Sequence, residues 1–69
     1  MRVEVNGTAV ELPAGASLDE AVRRSGAEAR GGRGIAVAVD GEVVPRGEWG
    51  ARELAANERV EVLQAVQGG

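Results

Sequence analysis

The chain has 69 residues with neither Cys nor His, which excludes a disulfide framework, a thiolate nucleophile and the commonest general base. Eleven acidic residues against eight Arg give a net charge of −3, which argues against nucleic-acid binding. No apolar run approaches the ~20 residues of a membrane span, and Met1 opens directly into a strand pattern instead of a signal peptide. We therefore expect one small soluble cytoplasmic domain without metal or cofactor.

A β-hairpin is predicted over residues 1–12. Apolar and polar side chains alternate on both sides of Asn6-Gly7, and both turn residues tolerate positive φ, so the pair favours a two-residue turn. Pro13 ends the second strand because it cannot donate a backbone hydrogen bond.

A short helix is predicted over about 18–25. Ser17 and Glu20 have the spacing of a capping box, and Gly26 suits the position just after the helix end. One apolar stripe faces the hairpin: Leu18, Ala21 and Val22. A helix of this length does not persist alone, so it must pack on the sheet. The Arg-Gly-rich segment that follows lacks the residues of a phosphate-binding loop and is interpreted as a connector.

A second hairpin is predicted after this link. Residues 35–39 alternate large and small side chains, which sends Ile35, Val37 and Val39 to the core and Ala36 and Ala38 to the opposite face. Asp40-Gly41 is the turn, and a short strand over 42–44 ends at Pro45.

The remaining chain leads to a final strand. Residues 46–50 are predicted as a loop whose Trp49 packs as a lid on the core, and 51–57 as a short turn or one helical turn anchored by Leu54. The last strand spans 59–66, with Val60 and Val62 directed inward.

The predicted order ββαβββ gives an α+β domain of two layers, because each strand has one apolar face and only one helix is available to cover the sheet. Placing the last strand in parallel beside the first completes a mixed sheet of four to five strands. This is the β-grasp arrangement, and we assign it to residues 1–66.

Residues 67–69 are predicted to form a flexible, reactive C-terminal tail. Gly68 and Gly69 carry no Cβ, so the terminal carboxylate is unhindered. The alternative is a frayed end or a vector-derived remnant. The strand pattern that leads almost to the tail favours a functional end.

The chain resembles the ThiS family of bacterial sulfur carriers of thiazole (thiamin) biosynthesis along its whole length. The most specific parts are the segment from Asp40 to Arg46, Asp-Gly-Glu-Val-Val-Pro-Arg, and the segment from Val60 to Ala65, Val-Glu-Val-Leu-Gln-Ala, followed by the terminal Gly pair. Many relatives carry a third Gly where this chain has Gln67.

The resemblance implies a ubiquitin-like fold and a role as protein co-substrate, not enzyme. A ThiF-type activating enzyme would adenylate the Gly69 carboxylate with ATP. Sulfur from a donor such as a cysteine desulfurase would then give a thiocarboxylate, which would deliver sulfur to thiazole synthase. Gly68, Gln67 and Val66 would form the tail that enters the partner.

Because successive side chains of a strand point to opposite faces, Leu63 and Ala65 lie on the face opposite Val60 and Val62. The small side chains of Ala36 and Ala38 are expected on that same face. We predict Leu63, Ala65, Ala36 and Ala38 as partner-binding residues beside the reactive end.

Three other functions remain open from the residues alone. One is a related thiocarboxylate carrier, such as the small subunit of molybdopterin synthase. The second is a ubiquitin-like protein modifier, although a chain without Lys cannot extend itself through its own side chains. The third is a non-covalent β-grasp module with an inert tail. An enzyme is disfavoured, because no nucleophile–base pair is present and the chain is small for a pocket.

Overall fold

The structure is a computed structural model that describes residues 1–26 and 34–64. Its strands and helices are β1 (Arg2–Val5), β2 (Thr8–Glu11), α1 (Leu18–Ser25), β3 (Ile35–Val39), β4 (Glu42–Val43), a 3₁₀ helix (Arg46–Glu48) and β5 (Arg59–Gln64). The order ββαβββ is confirmed.

All five strands form one mixed sheet in the order β2-β1-β5-β3-β4. The last strand is central: it pairs in parallel with β1 and antiparallel with β3. This confirms the predicted parallel pairing of the first and last strands. The last strand is therefore bonded to a neighbour on each of its edges.

Both hairpins turn through the predicted pairs. The φ angles are 51° and 82° at Asn6 and Gly7, and 50° and 86° at Asp40 and Gly41. Positive φ at both central residues defines type I′ turns, whose twist matches that of the strands. Two-residue turns of this kind fix the register of the strands that they join.

The helix has the predicted bounds, Leu18–Ser25, and Gly26 ends it in the left-handed conformation at φ 80°. Its apolar stripe is fully buried against the sheet. The Glu20 carboxylate lies 3.5 Å from Arg23 and 3.6 Å from Arg24, so it serves ion pairs along the helix.

The capping box predicted at Ser17 is wrong. Ser17 holds the N-cap position, but its side chain makes no capping hydrogen bond. The first helical N–H groups find tertiary acceptors instead: Leu18 donates to the Arg52 carbonyl at 2.8 Å, and Asp19 donates to the Trp49 carbonyl at 3.2 Å. Because a nearby loop satisfies these donors, the side-chain cap is not needed.

The core lies between the helix and one face of the sheet. Its buried side chains are Val3, Val5, Leu12, Leu18, Ala21, Val22, Val37, Val39, Trp49, Leu54, Val60 and Val62. No helix within the described residues is long and apolar enough to cross a membrane.

Trp49 closes one side of this core, as predicted. Only 3% of the residue is exposed, and its Nε1–H donates to the Val44 carbonyl at 2.9 Å. The Arg46 guanidinium lies over the ring, 5.4 Å from its centroid. The segment 46–50, predicted as a loop, contains a 3₁₀ helix at Arg46–Glu48 that ends next to Trp49. Residues 51–57 contain turns, which agrees with the short turn predicted there, and not the alternative of one helical turn.

Candidate functional site: the open sheet face and the root of the tail

One face of the sheet is not covered by the helix, and strand register identifies its residues. Ala36 pairs with Leu63 across β3 and β5. Ala38 pairs with Glu61 on β5 and with Val43 on β4. Since directly paired residues share a face, all five side chains lie on the open side of the sheet.

Four of these side chains form what we call the open-face patch: Ala36, Ala38, Val43 and Leu63. Leu63 is 62% exposed and Val43 is 69% exposed, and these are the large hydrophobic residues that stand out as exposed among the described residues. Of the two Ala residues between them, Ala36 is exposed and Ala38 is half-buried. The patch is an apolar surface that another protein can approach closely.

The structure therefore brings together three of the predicted partner-binding residues, Leu63, Ala36 and Ala38. Sequence reasoning missed Val43. The signal was available, because a two-residue turn at Asp40-Gly41 necessarily places Val43 opposite Ala38.

The other half of the open face is charged. On β2, β1 and the start of β5 it carries two loose ion pairs: Arg2 lies 3.7 Å from Glu11, and Arg59 lies 3.9 Å from Glu4. These pairs are well exposed and contribute little to stability. The charged half lies beside the start of β5, at Arg59, and the apolar half lies beside its end, at Leu63.

Both turns hold β5 through side-chain contacts. The Asn6 side chain accepts a hydrogen bond from the Val62 N–H at 2.8 Å and donates to the Val62 carbonyl at 3.2 Å. Asp40 Oδ1 accepts from the Arg59 N–H at 2.9 Å at the other end of the strand. Side chains from two loops thus fix both ends of the strand that precedes the tail.

An ion pair fixes the turn that leads into β5. Arg52 Nη2 lies 2.8 Å from Glu58 Oε2, and the Ala55 N–H donates to Glu58 Oε1 at 2.7 Å. These hydrogen bonds to the ionised carboxylate hold the pKa of Glu58 below its usual value, and the same contact raises the pKa of Arg52.

The other predicted site residues, Ala65, Val66, Gln67, Gly68 and Gly69, lie outside the described residues. Within residues 1–26 and 34–64, no group of three or more acidic side chains is placed to hold a metal ion. The described part of the chain offers an exposed apolar patch and a strand that side chains of two turns hold in place.

A mixed five-stranded sheet with one helix on one face, and with the last strand central and parallel to the first, defines a ubiquitin-like β-grasp domain. The sequence matches the ThiS family model over residues 2–69, and the chain belongs to that family. Family membership supports a small sulfur-carrier protein of thiamine biosynthesis, not an enzyme in its own right.

Among solved structures, the fold is similar to the crystal structure of the thiamine biosynthesis protein ThiS from Geobacter metallireducens. The TM-score is 0.77 at 24% sequence identity, and the alignment covers 100% of both chains. At that identity the likeness bears on the fold alone. No curated protein matches the sequence.

Proposed function

We propose that this chain carries sulfur as a thiocarboxylate at Gly69 and donates it for thiazole ring formation. The observation that supports this most is that the family match runs through residue 69, so it includes the two glycines of the tail. The tail also continues from β5, the central strand of the sheet.

The first step is activation of the Gly69 carboxylate. An α-carboxyl group has a pKa of roughly 3.3–3.7, so it is ionised at neutral pH and needs no base to attack phosphorus. A carboxylate oxygen bonds to the α-phosphorus of ATP, and pyrophosphate leaves. The product is an acyl adenylate.

In the second step a sulfur nucleophile at the oxidation level of sulfide attacks the acyl carbon. The new C–S bond replaces the C–O bond to AMP, and AMP leaves with that oxygen. A cysteine desulfurase is the proposed source of the sulfur. Because that enzyme holds the sulfur as a persulfide, a thiol must supply two electrons to bring it to the sulfide level, and this thiol ends as a disulfide. Thiazole synthase is the proposed acceptor of the sulfur from the thiocarboxylate.

The catalytic groups are assigned to the partner. This chain contains no Cys, His or Lys, so it supplies neither a thiol nor a lysine for the triphosphate. Adenylation requires Mg²⁺ and cationic side chains around the phosphates, and we assign these to a ThiF-type activating enzyme.

The open-face patch is the proposed docking surface for that enzyme, extended by Ala65 and Val66. Gly69 is six residues beyond Leu63, a stretch that a trans chain spans in at most about 21 Å. A partner docked on the patch must therefore have its nucleotide site within that distance of Leu63.

ATP–pyrophosphate exchange catalysed by a ThiF-type enzyme tests the proposal. Gly69→Ala adds a methyl group beside the reacting carboxylate and is expected to lower exchange about tenfold or more, since small misplacements of reacting groups have large effects. The melting temperature should not change.

Gly50→Ala is the matched control. Gly50 has no heavy atom within 4 Å of an added Cβ and no positive φ, so this change should leave both exchange and stability unaltered. Exchange by Gly69→Ala at the wild-type rate would contradict the proposed role of the tail.

A further inference from the structure

On the edge of β5 that faces β1, one side chain continues the hydrogen bonding past the end of β1. In the parallel register Val5 lies opposite Val60, and the Asn6 N–H donates to the Val60 carbonyl at 2.9 Å. At Asn6 the hairpin turns away, while β5 continues to Gln64. The next rung of the ladder, at Val62, is made by the Asn6 side chain instead of a strand backbone.

Asn is the residue type that this position requires. Its amide offers one acceptor and one donor, which match the N–H and the carbonyl of Val62 as a peptide group would. Asn also tolerates φ 51° in the turn. Asp would lack the donor and would place a carboxylate against the Val62 carbonyl, while Gly would lack both groups.

Asp40 provides the contrast within the same molecule. It holds the corresponding place in the second turn, at φ 50°. Its backbone N–H donates to the Arg59 carbonyl at 2.8 Å, so its side chain needs only to accept from the Arg59 N–H. A carboxylate is sufficient there, whereas an amide is needed at Val62.

We propose that Asn6 is a positioning residue for the reactive end of the chain. It clamps Val62, two residues before β5 ends and next to Leu63 of the open-face patch, and thereby sets the line along which the chain leaves the sheet. Without this clamp, β5 beyond Val60 is paired with β3 alone, and a strand held on one edge deviates more readily. This role rests on the proposed function.

Two glycine substitutions form a matched test. Asn6→Gly and Asp40→Gly both keep a turn that accepts positive φ, and each removes one side-chain clamp on β5. They differ in position, because the first frees the end of β5 next to the tail and the second frees its start. Both proteins are compared at a temperature at which circular dichroism shows them fully folded.

The readout is steady-state ATP–pyrophosphate exchange, with the carrier as the varied substrate. Because Leu63 stays paired with Ala36 of β3, the side chains of the open-face patch are kept. Asn6→Gly should therefore leave KM for the carrier within about twofold and lower kcat at least about fivefold, as expected for misplaced reacting groups. Asp40→Gly should leave both constants within about twofold. Asn6→Asp should not restore kcat, because it cannot donate to the Val62 carbonyl.

Hydrogen exchange of the Val62 amide measures the clamp independently of activity. Asn6→Gly should accelerate this exchange at least about tenfold, whereas Asp40→Gly should not, because the Val62 N–H is bonded to Asn6. Equal kcat values for the two glycine variants, or an unchanged Val62 exchange rate in Asn6→Gly, would overturn the positioning role of Asn6 but would leave the proposed function standing. A wild-type chain that the enzyme does not activate would overturn the proposed function and this role with it.

Discussion

Truncation of Leu63 on the open-face patch gives a quantitative test of the docking surface. Burying a complete Leu side chain stabilises an association by about 1.5–3 kcal/mol. Leu63 is 62% exposed in the free chain, so burying the exposed part against a partner would stabilise the complex by about 1–2 kcal/mol. Leu63→Ala keeps the Cβ, and the expected loss is about 1 kcal/mol, or about a fivefold rise in KM for the carrier.

The same substitution should scarcely affect folding. A side chain that is mostly exposed contributes little to the core, and we expect a change within about 0.5 kcal/mol in the free energy of unfolding. The assay is ATP–pyrophosphate exchange at several carrier concentrations, with urea unfolding measured in parallel. An unchanged KM would refute Leu63 as a contact.

Two Ala→Arg substitutions on the same sheet face separate the patch from the charged half. Ala36 lies opposite Leu63, and Ala9 lies opposite Glu4; both Ala residues are exposed. Ala36→Arg should raise KM at least about tenfold, because a large cation then covers the patch. Ala9→Arg makes the same charge change and should leave KM within about twofold. Equal effects would show that net charge, not the patch, governs the association.

Three further predictions concern stability. Hydrogen bonds from Arg52 lower the pKa of Glu58 from its usual 4.5, so the stability that this pair contributes is fully present above pH 4.5 and is lost as the pH falls through the lower folded-state value. Glu58→Gln should lower the free energy of unfolding by about 1 kcal/mol at pH 7, and this loss should shrink in acid. A loss that does not depend on pH would contradict the ion pair. Trp49→Phe leaves the Val44 carbonyl without its 2.9 Å donor and should cost about 1–2 kcal/mol in urea unfolding followed by circular dichroism; no loss would mean that the hydrogen bond is dispensable. Gly26→Ala meets no atom within 4 Å but must adopt φ 80°, so it should lower the free energy of unfolding by about 1–2 kcal/mol, and a neutral result would contradict this helix end.

Local patterns were sufficient to predict most of the fold. The period-two alternation and the two turns at Asn6-Gly7 and Asp40-Gly41 fixed both hairpins, and Gly26 marked the helix end. With one helix and five strands that each have a single apolar face, few arrangements bury all the apolar side chains. The β-grasp topology therefore follows from elements that sequence reasoning identifies reliably.

What sequence reasoning missed depends on contacts between distant segments. Ser17 needs no side-chain cap because the loop carbonyls of Trp49 and Arg52 face the helix start, and no local pattern encodes that approach. The sequence identifies Asn6 as a turn residue, but its hydrogen bonds to Val62 join residues that are 56 positions apart, and no local pattern predicts them. The tail is predicted from its chemistry and from the family resemblance, because Gly68 and Gly69 have no side chains from which an apolar face could be predicted.

Mass spectrometry of the carboxyl end tests the central claim most directly. The wild-type chain is incubated with a ThiF-type enzyme, ATP and a sulfur donor, and the intact protein is fragmented in the spectrometer. Oxidation of Met1, the single methionine, adds nearly the same mass as replacing oxygen by sulfur, so the shift must be located by fragments. We predict that sulfur replaces one oxygen in fragments that contain Gly69, and that the change requires ATP. A wild-type chain whose C-terminal fragments keep the mass of the free acid, while the enzyme converts another carrier, would contradict the account.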